Sequence, residues 1–365
     1  MLNIGLEGTR ANKIHKTGTE WYAWQIIQGF KKLGQPANFF IYYNQDLDPA
    51  LRQAPDNFYF KKLNWPFKKL WTHLRLGLEL IIHPPDIFLA TNAMPFFGRG
   101  KYMVAIHDLG FLRNPELYHP LERIYQIWSH RLAVWRAKKI ITISETSKED
   151  IIKYFPGARD KIKVIYLGWN DQGFDKISEE AERLVKEKYQ LPDDYILYIG
   201  RIETKKNIQN LIRAFQSLDK NQYLALAGRP GNYGYEEIKK LAEQADIKDR
   251  IKFLGYIEQS DYASLLASAK LFIFPSSFEG FGLPILEAMG AGVAVACSDI
   301  PVLRETAGQA ALFFNPNDPD DMADKIKLLL ADNNIRQDLI KRGLDRAGQF
   351  SWEKCARETL EYILE

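Results

Sequence analysis

Short, almost wholly apolar runs recur along this chain in two series, each alternating with longer stretches of helical spacing. The first series comprises Asn3–Leu6, Asn38–Tyr43, Ile87–Ala90, Tyr102–His107, Lys139–Ser144 and Lys163–Leu167. The second comprises Tyr195–Ile199, Tyr223–Ala227, Ile251–Leu254, Leu271–Phe274, Val293–Ala296 and Ala311–Phe314. Strands that lack polar alternation are buried on both faces, and strands that alternate with helices pair in parallel. The expectation is an α/β chain with two doubly wound, Rossmann-like sheets. Its helices show the matching stripes: Trp21, Trp24, Ile27 and Phe30 within 19–33; Ile208, Leu211, Ile212, Phe215 and Leu218; and Ile238, Leu241 and Ala245. The polar stretch from Asn170 to Gln190 separates the series, placing one domain at 1–172 and a second at 173–349. At about 150 residues per domain, a chain of 365 residues has room for both. Ligands of such sheets bind beyond the carboxyl ends of the strands, and two facing sheets would enclose a cleft.

Several classes drop out early. The apolar stretch 76–90 is broken by Glu79, His83, Pro84, Pro85 and Asp86, so it falls short of the ~18 uninterrupted residues of a spanning helix. The chain opens directly on a strand, with no basic region followed by an apolar signal core. Cys297 and Cys355 form no motif, and the six histidines do not cluster, so neither a disulfide framework nor a zinc site is supported. A cytoplasmic location is expected, with the inner face of a membrane as a surface the chain could meet. The net charge of +3 hides an asymmetry: residues 1–175 hold 24 Lys and Arg against 16 Asp and Glu, the remainder 25 against 30. The first part therefore faces something anionic.

Two segments carry chemistry. Strand Tyr195–Ile199 runs into Gly200-Arg201, and Lys205, Lys206 and Asn207 open the next helix. Cations at the positive end of a helix repel it unless an anion sits among them, so Arg201 and Lys206 make a candidate diphosphate clamp. The competing reading is a solvated basic turn. After strand Leu271–Phe274 come Glu279, Gly280, Phe281, Gly282, Leu283, Pro284 and Glu287. The glycines admit a ligand close to the backbone, Pro284 suits a first helical turn, and a carboxylate can accept both hydrogen bonds of a vicinal diol. Glu279 as a helix cap and Glu287 paired with a surface cation is the plainer alternative.

In this order, Gly200-Arg201 with Lys206-Asn207, Leu226-Ala-Gly228, Phe253-Leu-Gly255, Glu279-x7-Glu287 and Phe350-Ser-Trp352 resemble the retaining, GT-B-fold glycosyltransferases of the group 4 type. The resemblance implies a hexose transferase, of mannose or glucose type, that uses a nucleoside-diphosphate sugar as co-substrate and no other cofactor. It implies that Arg201 and Lys206 bind the diphosphate, Glu287 the ribose and Glu279 the transferred sugar. Tyr256 and Ile257 would supply backbone contacts to the base, and Gly280, Phe281, Gly282 and Leu283 would line the donor. Val104-Ala-Ile-His107-Asp108 resembles the family's strand-end His-Asp, which makes His107 the catalytic candidate. Lys16-Thr-Gly18-Thr-Glu20 stands where the family has a glycine-rich loop, so Gly18 is expected at the diphosphate or acceptor. Residues 350–365 would form a helix that packs back on the N-terminal domain.

Cations that neutralise the departing diphosphate make a divalent metal unnecessary, and Asp46-Leu-Asp48 is read as facing solvent. The expected mechanism is front-face displacement with the leaving phosphate as base. The expected acceptor is a glycan or lipid-linked glycan. The segment 58–75 interleaves aromatics with Lys61, Lys62, Lys68, Lys69 and Arg75, and reads either as a peripheral membrane contact or as a core helix and strand with snorkelling lysines. An epimerase or phosphorylase of the same architecture is the alternative enzyme. A nicotinamide enzyme is disfavoured because no G-x-G-x-x-G follows a strand. A nucleic-acid-binding protein using the basic half would leave Glu279 and Glu287 unexplained, so no nucleic acid is expected.

Overall fold

The computed structural model describes residues 1–365 apart from 14, 15, 35, 68, 69, 92, 170–172, 175, 176, 245 and 246. The expected boundary at 172/173, Lys68 and Lys69, and Ala245 fall at or on residues outside that set. The described residues form two compact units, 1–168 with 351–365 and 169–350.

The first unit holds strands β1 (Leu2–Glu7), β2 (Ala37–Tyr43), β3 (Phe58–Lys62), β4 (Ile87–Ala90), β5 (Lys101–Ile106), β6 (Lys139–Thr142) and β7 (Ile162–Val164). They pair in parallel in the order β3-β2-β1-β4-β5-β6-β7. The order reverses between β1 and β4, the point where a doubly wound sheet opens a crevice beyond its carboxyl edge. Three expected strands end early, β5 at Ile106 rather than His107 and two others. Ser144 leaves β6 because its hydroxyl caps helix Glu145–Tyr154, accepting from the Ser147 N–H at 3.0 Å. The strand expected at 163–167 stops at Val164, although the Ile165 N–H still bonds Thr142.

Helix Gly18–Leu33 buries Tyr22, Ala23, Ile26, Ile27 and Phe30. Trp21 and Trp24 were expected on that face, yet they lie outside it, with the Lys16 ammonium 5.6 and 4.2 Å from their rings. The inward face also meets the C-terminal helix Trp352–Leu364, which buries Ala356, Leu360 and Ile363. The approach is close enough that a Cβ on Gly29 would come within 2.2 Å of the Ala356 Cβ.

The second unit holds β8 (Ile196–Ile199), β9 (Leu224–Ala227), β10 (Ile251–Gly255), β11 (Leu271–Phe274), β12 (Val295–Ser298) and β13 (Leu312–Phe314), all parallel, in the order β10-β9-β8-β11-β12-β13. Its reversal lies between β8 and β11. Strands β8, β9, β11 and β12 are buried along their whole length, as apolar strands in a two-sided sheet must be. Helix Ile208–Gln216 packs through Ile208, Leu211, Ile212 and Phe215, and Leu218 is buried just beyond its end. On helix Tyr235–Gln244 the buried positions are Ile238 and Ala242, one turn apart, whereas Leu241 is half-buried.

Candidate active site

In the second unit, the loops that leave β8 and β11 meet over the strand reversal. Lys206, in the turn before helix Ile208–Gln216, places its ammonium 2.5 Å from the Glu279 carboxylate in the loop after β11. Both side chains are mostly buried, and the Lys206 ammonium lies 5.9 Å from the Phe274 ring. The neighbouring Lys205 pairs at 3.2 Å with Glu203, itself buried. Two of the three crowded cations are thus balanced by carboxylates. The third, Arg201, is exposed, and no described residue pairs with its guanidinium; its carbonyl accepts from the Tyr198 hydroxyl at 2.9 Å.

The floor of this region is glycine. The Gly200 N–H donates to Ala227, and the Gly228 N–H donates to Gly255 at 2.7 Å, tying the ends of β8, β9 and β10 together. A Cβ on Gly228, which has φ +143°, would lie 1.7 Å from the Gly200 carbonyl oxygen, so no other residue fits. Gly282, at φ +100°, turns the loop into helix Leu283–Gly290, whose first turn contains Pro284. Phe281 turns its ring inward, 5.7 Å from that of Phe350, and its carbonyl accepts from Thr306 at 2.5 Å. Ile257, like Phe281, has a buried side chain. Gly280 sits in the loop and Leu283 opens the helix. Tyr256 keeps an exposed ring, with the Arg229 guanidinium stacked 4.4 Å from its centre.

Glu287, one turn into the helix, accepts from the Tyr262 hydroxyl at 2.5 Å. Burial raises its carboxyl above the usual range, and the Tyr262 bond pulls it partly back. Tyr262 and Arg229 escape sequence reasoning because their partners lie on remote elements; Tyr262 reads as an ordinary position of helix Gln259–Ala267.

In the first unit, His107 follows the end of β5. It is buried, its Nε2 lies 3.3 Å from the Thr91 carbonyl, and its ring stands edge-on to Tyr22 at 4.8 Å. Desolvation pushes its pKa down to about 4, so the imidazole is neutral at pH 7. Thr91, just past β4, donates its hydroxyl at 2.9 Å to Glu7, the last residue of β1. Glu7 and Thr91 bridge the strand reversal of this sheet, and burial raises the Glu7 carboxyl. Beside His107 lies a pocket of about 170 Å³ lined by Thr19, Asp108, Phe111, Tyr118, Gln126 and His130. Gly18 is the exposed first residue of its helix, adjacent to Thr19; a Cβ there would meet nothing within 4 Å, so its freedom is not needed for packing. Asp46 is exposed and bonds Lys62 at 2.7 Å, while Asp48 accepts from the Ala50 N–H. Among the described residues, no three His, Cys, Asp or Glu gather as a metal-binding group.

Residues 179–346 match the model of the glycosyl transferases group 1, and residues 16–172 match that of glycosyltransferase family 4. The O-antigen chain mannosyltransferase B of Escherichia coli is 35% identical over 316 residues, covering 85% of this chain and 80% of that protein. The chain belongs to this glycosyltransferase family. The O-antigen chain mannosyltransferase RfbU of Salmonella typhimurium is 27% identical, covering 78% and 80% of the two chains. The crystal structure of Anabaena Alr3699/HepE with UDP and glucose superposes over 100% of both chains with a TM-score of 0.79 at 19% identity, which establishes the shared GT-B fold. This glycosyltransferase is therefore an enzyme acting on a sugar-nucleotide donor.

Proposed function

We propose that this glycosyltransferase moves a mannose-type hexose from a nucleoside-diphosphate sugar to a glycan or lipid-linked glycan, with retention of configuration and without a divalent metal. The observation that carries the donor half is the Lys206–Glu279 pair over the strand reversal of the second unit, with Arg201 exposed in the same loop after β8. Arg201 and Lys206 take the diphosphate, with the main chain at Gly280, Phe281, Gly282 and Leu283 beside it. Glu287 accepts from the ribose hydroxyls, Tyr256 and Ile257 border the base, and Glu279 orients the hexose. The two O-antigen relatives, named as mannosyltransferases, support the choice of sugar and a polysaccharide acceptor.

In the reaction, the bond from the anomeric carbon to the diphosphate oxygen breaks as the acceptor oxygen bonds that carbon on the same face. The acceptor proton passes to the departing diphosphate, whose charge Arg201 and Lys206 neutralise. His107, being neutral, contacts the transferred sugar as a hydrogen-bonding group, and Gly18 borders the acceptor. The enzyme works peripherally at the inner face of a membrane that carries the acceptor, with residues 58–75 close to it.

Calorimetry with GDP, UDP and their hexose conjugates in the presence of EDTA tests the donor half. Binding of one base that is weakened by both Glu287→Ala and Lys206→Ala is the expected result. No binding of any nucleotide overturns the reading.

A further inference from the structure

Helix Pro120–Arg136 in the first unit has two faces with opposite tasks. At about 100° per residue, Gln126 and His130 fall on one side. Both line the pocket beside His107, and Ala133 and Val134 continue that face into the core. On the opposite side, within an arc of roughly 60°, lie Leu121, Ile124, Trp128 and Trp135. Leu121 is 72% exposed, Ile124 63% and Trp135 77%, so large apolar groups face solvent over the length of the helix. Single exposed apolar residues are ordinary, but a contiguous stripe marks an interaction surface.

The charge around the stripe selects its occupant. Arg131 borders the arc and is exposed, and Glu122 is the only carboxylate of the helix. At the C-terminal end, Arg136 donates to the Phe96 and Gly98 carbonyls and the Lys138 N–H donates to Tyr102, which brings exposed Arg99, Lys101 and Lys138 to that end. The unit as a whole carries 26 Lys and Arg against 18 Asp and Glu. Tryptophan and leucine on one face with arginine and lysine at its border is the pattern of a helix lying in the headgroup layer of an anionic bilayer.

We propose that the Leu121–Trp135 face docks this glycosyltransferase on anionic lipid, with the acceptor-side pocket on the reverse of the same helix. The proposal rests on the membrane-borne acceptor of the reading above and moves the main contact away from 58–75. In that segment β3 belongs to the sheet, and His73 bonds the Tyr125 hydroxyl of this helix at 2.8 Å.

The test is flotation of the full chain with phosphatidylglycerol–phosphatidylcholine vesicles and with pure phosphatidylcholine, at low and high salt. The unsubstituted chain is expected to float with anionic vesicles at low salt and weakly with neutral ones, and Ile124→Glu or Trp135→Glu is expected to lower the partition coefficient about tenfold each. Both positions are exposed, so thermal unfolding should match that of the parent. No flotation, flotation unchanged by both substitutions, or a lipid-free dimer that the substitutions dissociate, each overturns the proposal; the dimer would assign the face to a second copy. Titration of the same samples with nucleoside diphosphates reads the donor site separately, so a failed donor site and a failed docking face are told apart.

Discussion

The Lys206 ammonium rests on the Glu279 carboxylate at 2.5 Å, so the cation assigned to the diphosphate and the carboxylate assigned to the sugar are each other's partners. The pair explains how adjacent cations are tolerated at a helix start without an anion: Glu279 balances Lys206 as Glu203 balances Lys205. On the proposed reading, a diphosphate entering here would exchange one anion for another at Lys206 and release Glu279 toward the sugar. Lys206→Met should lower nucleoside diphosphate affinity by about 2–3 kcal/mol, because it removes a charge-assisted bond and leaves Glu279 unpaired beside phosphate. Glu279→Gln should leave that affinity within about threefold while slowing transfer roughly 100-fold, since the Lys206 pair it weakens is one the diphosphate displaces and the loss falls on the contact to the reacting sugar. Calorimetry and initial rates on both variants separate the two roles, and equal losses of affinity would refute the division.

Glu287 is raised by burial and held by Tyr262. A carboxylate that accepts from ribose hydroxyls discriminates against nucleotides that lack them, because the loss leaves a buried acceptor unpaired. Glu287→Gln should weaken the ribonucleoside diphosphate by about 1–2 kcal/mol and its 2′,3′-dideoxy analogue far less. Tyr262→Phe should act in the same direction, because it removes the hydrogen bond that lowers the Glu287 carboxyl against the effect of burial. If the dideoxy analogue binds the parent enzyme as well as the ribonucleotide does, Glu287 has another task.

Both sheets were legible in the chain because parallel strands buried on two faces are spelled by unbroken apolar runs, such as Leu271–Phe274. Edge strand β3 was harder to read. Phe58–Lys62 ends in two lysines and is only partly buried, so it read equally well as a surface segment. On helix Gly18–Leu33 half of the expected face holds, since Ile27 and Phe30 are buried, but Trp21 and Trp24 are not; a second helix, more than 300 residues away in sequence, packs against this helix at Gly29. Arg201, Lys206, Glu279 and Glu287 were visible as a local pattern. Tyr262, Arg229 and the Glu7–Thr91 bridge were not, because only the winding of each sheet brings their elements together.

That remote helix contact predicts a steric dependence. Gly29 lies where a Cβ would come 2.2 Å from that of Ala356, a distance that no rotamer change can relieve. Gly29→Ala should destabilise the first unit by about 1–3 kcal/mol, as overpacking of a close interface does. Ala356→Gly in the same chain removes the clashing atom and should recover most of the loss. Urea unfolding of the two single variants and the double variant closes the cycle, and additive losses would place the strain elsewhere.

His107 makes stability depend on pH in a defined direction. Its pKa is lowered from 6.5 to about 4 in the folded chain, so between those values the unfolded state binds more protons. The contribution is fully present above about pH 6.5 and is lost as pH falls toward 4. Over the step from pH 7.5 to 5 this amounts to about 2 kcal/mol. Buried His73 and half-buried His130 are lowered by desolvation too and add to the slope, so the comparison must be with a variant. His107→Gln should flatten the pH dependence of the urea midpoint by the His107 share while leaving its sign unchanged. A neutral imidazole also cannot donate a catalytic proton at pH 7 as an acid of pKa near 6.5 would, so the transfer rate should show no limb near pH 6.5 that disappears in His107→Gln. Such a limb would mean that the ring takes up a proton once substrate is bound, and His107 would then act as an acid rather than as a neutral hydrogen-bonding group.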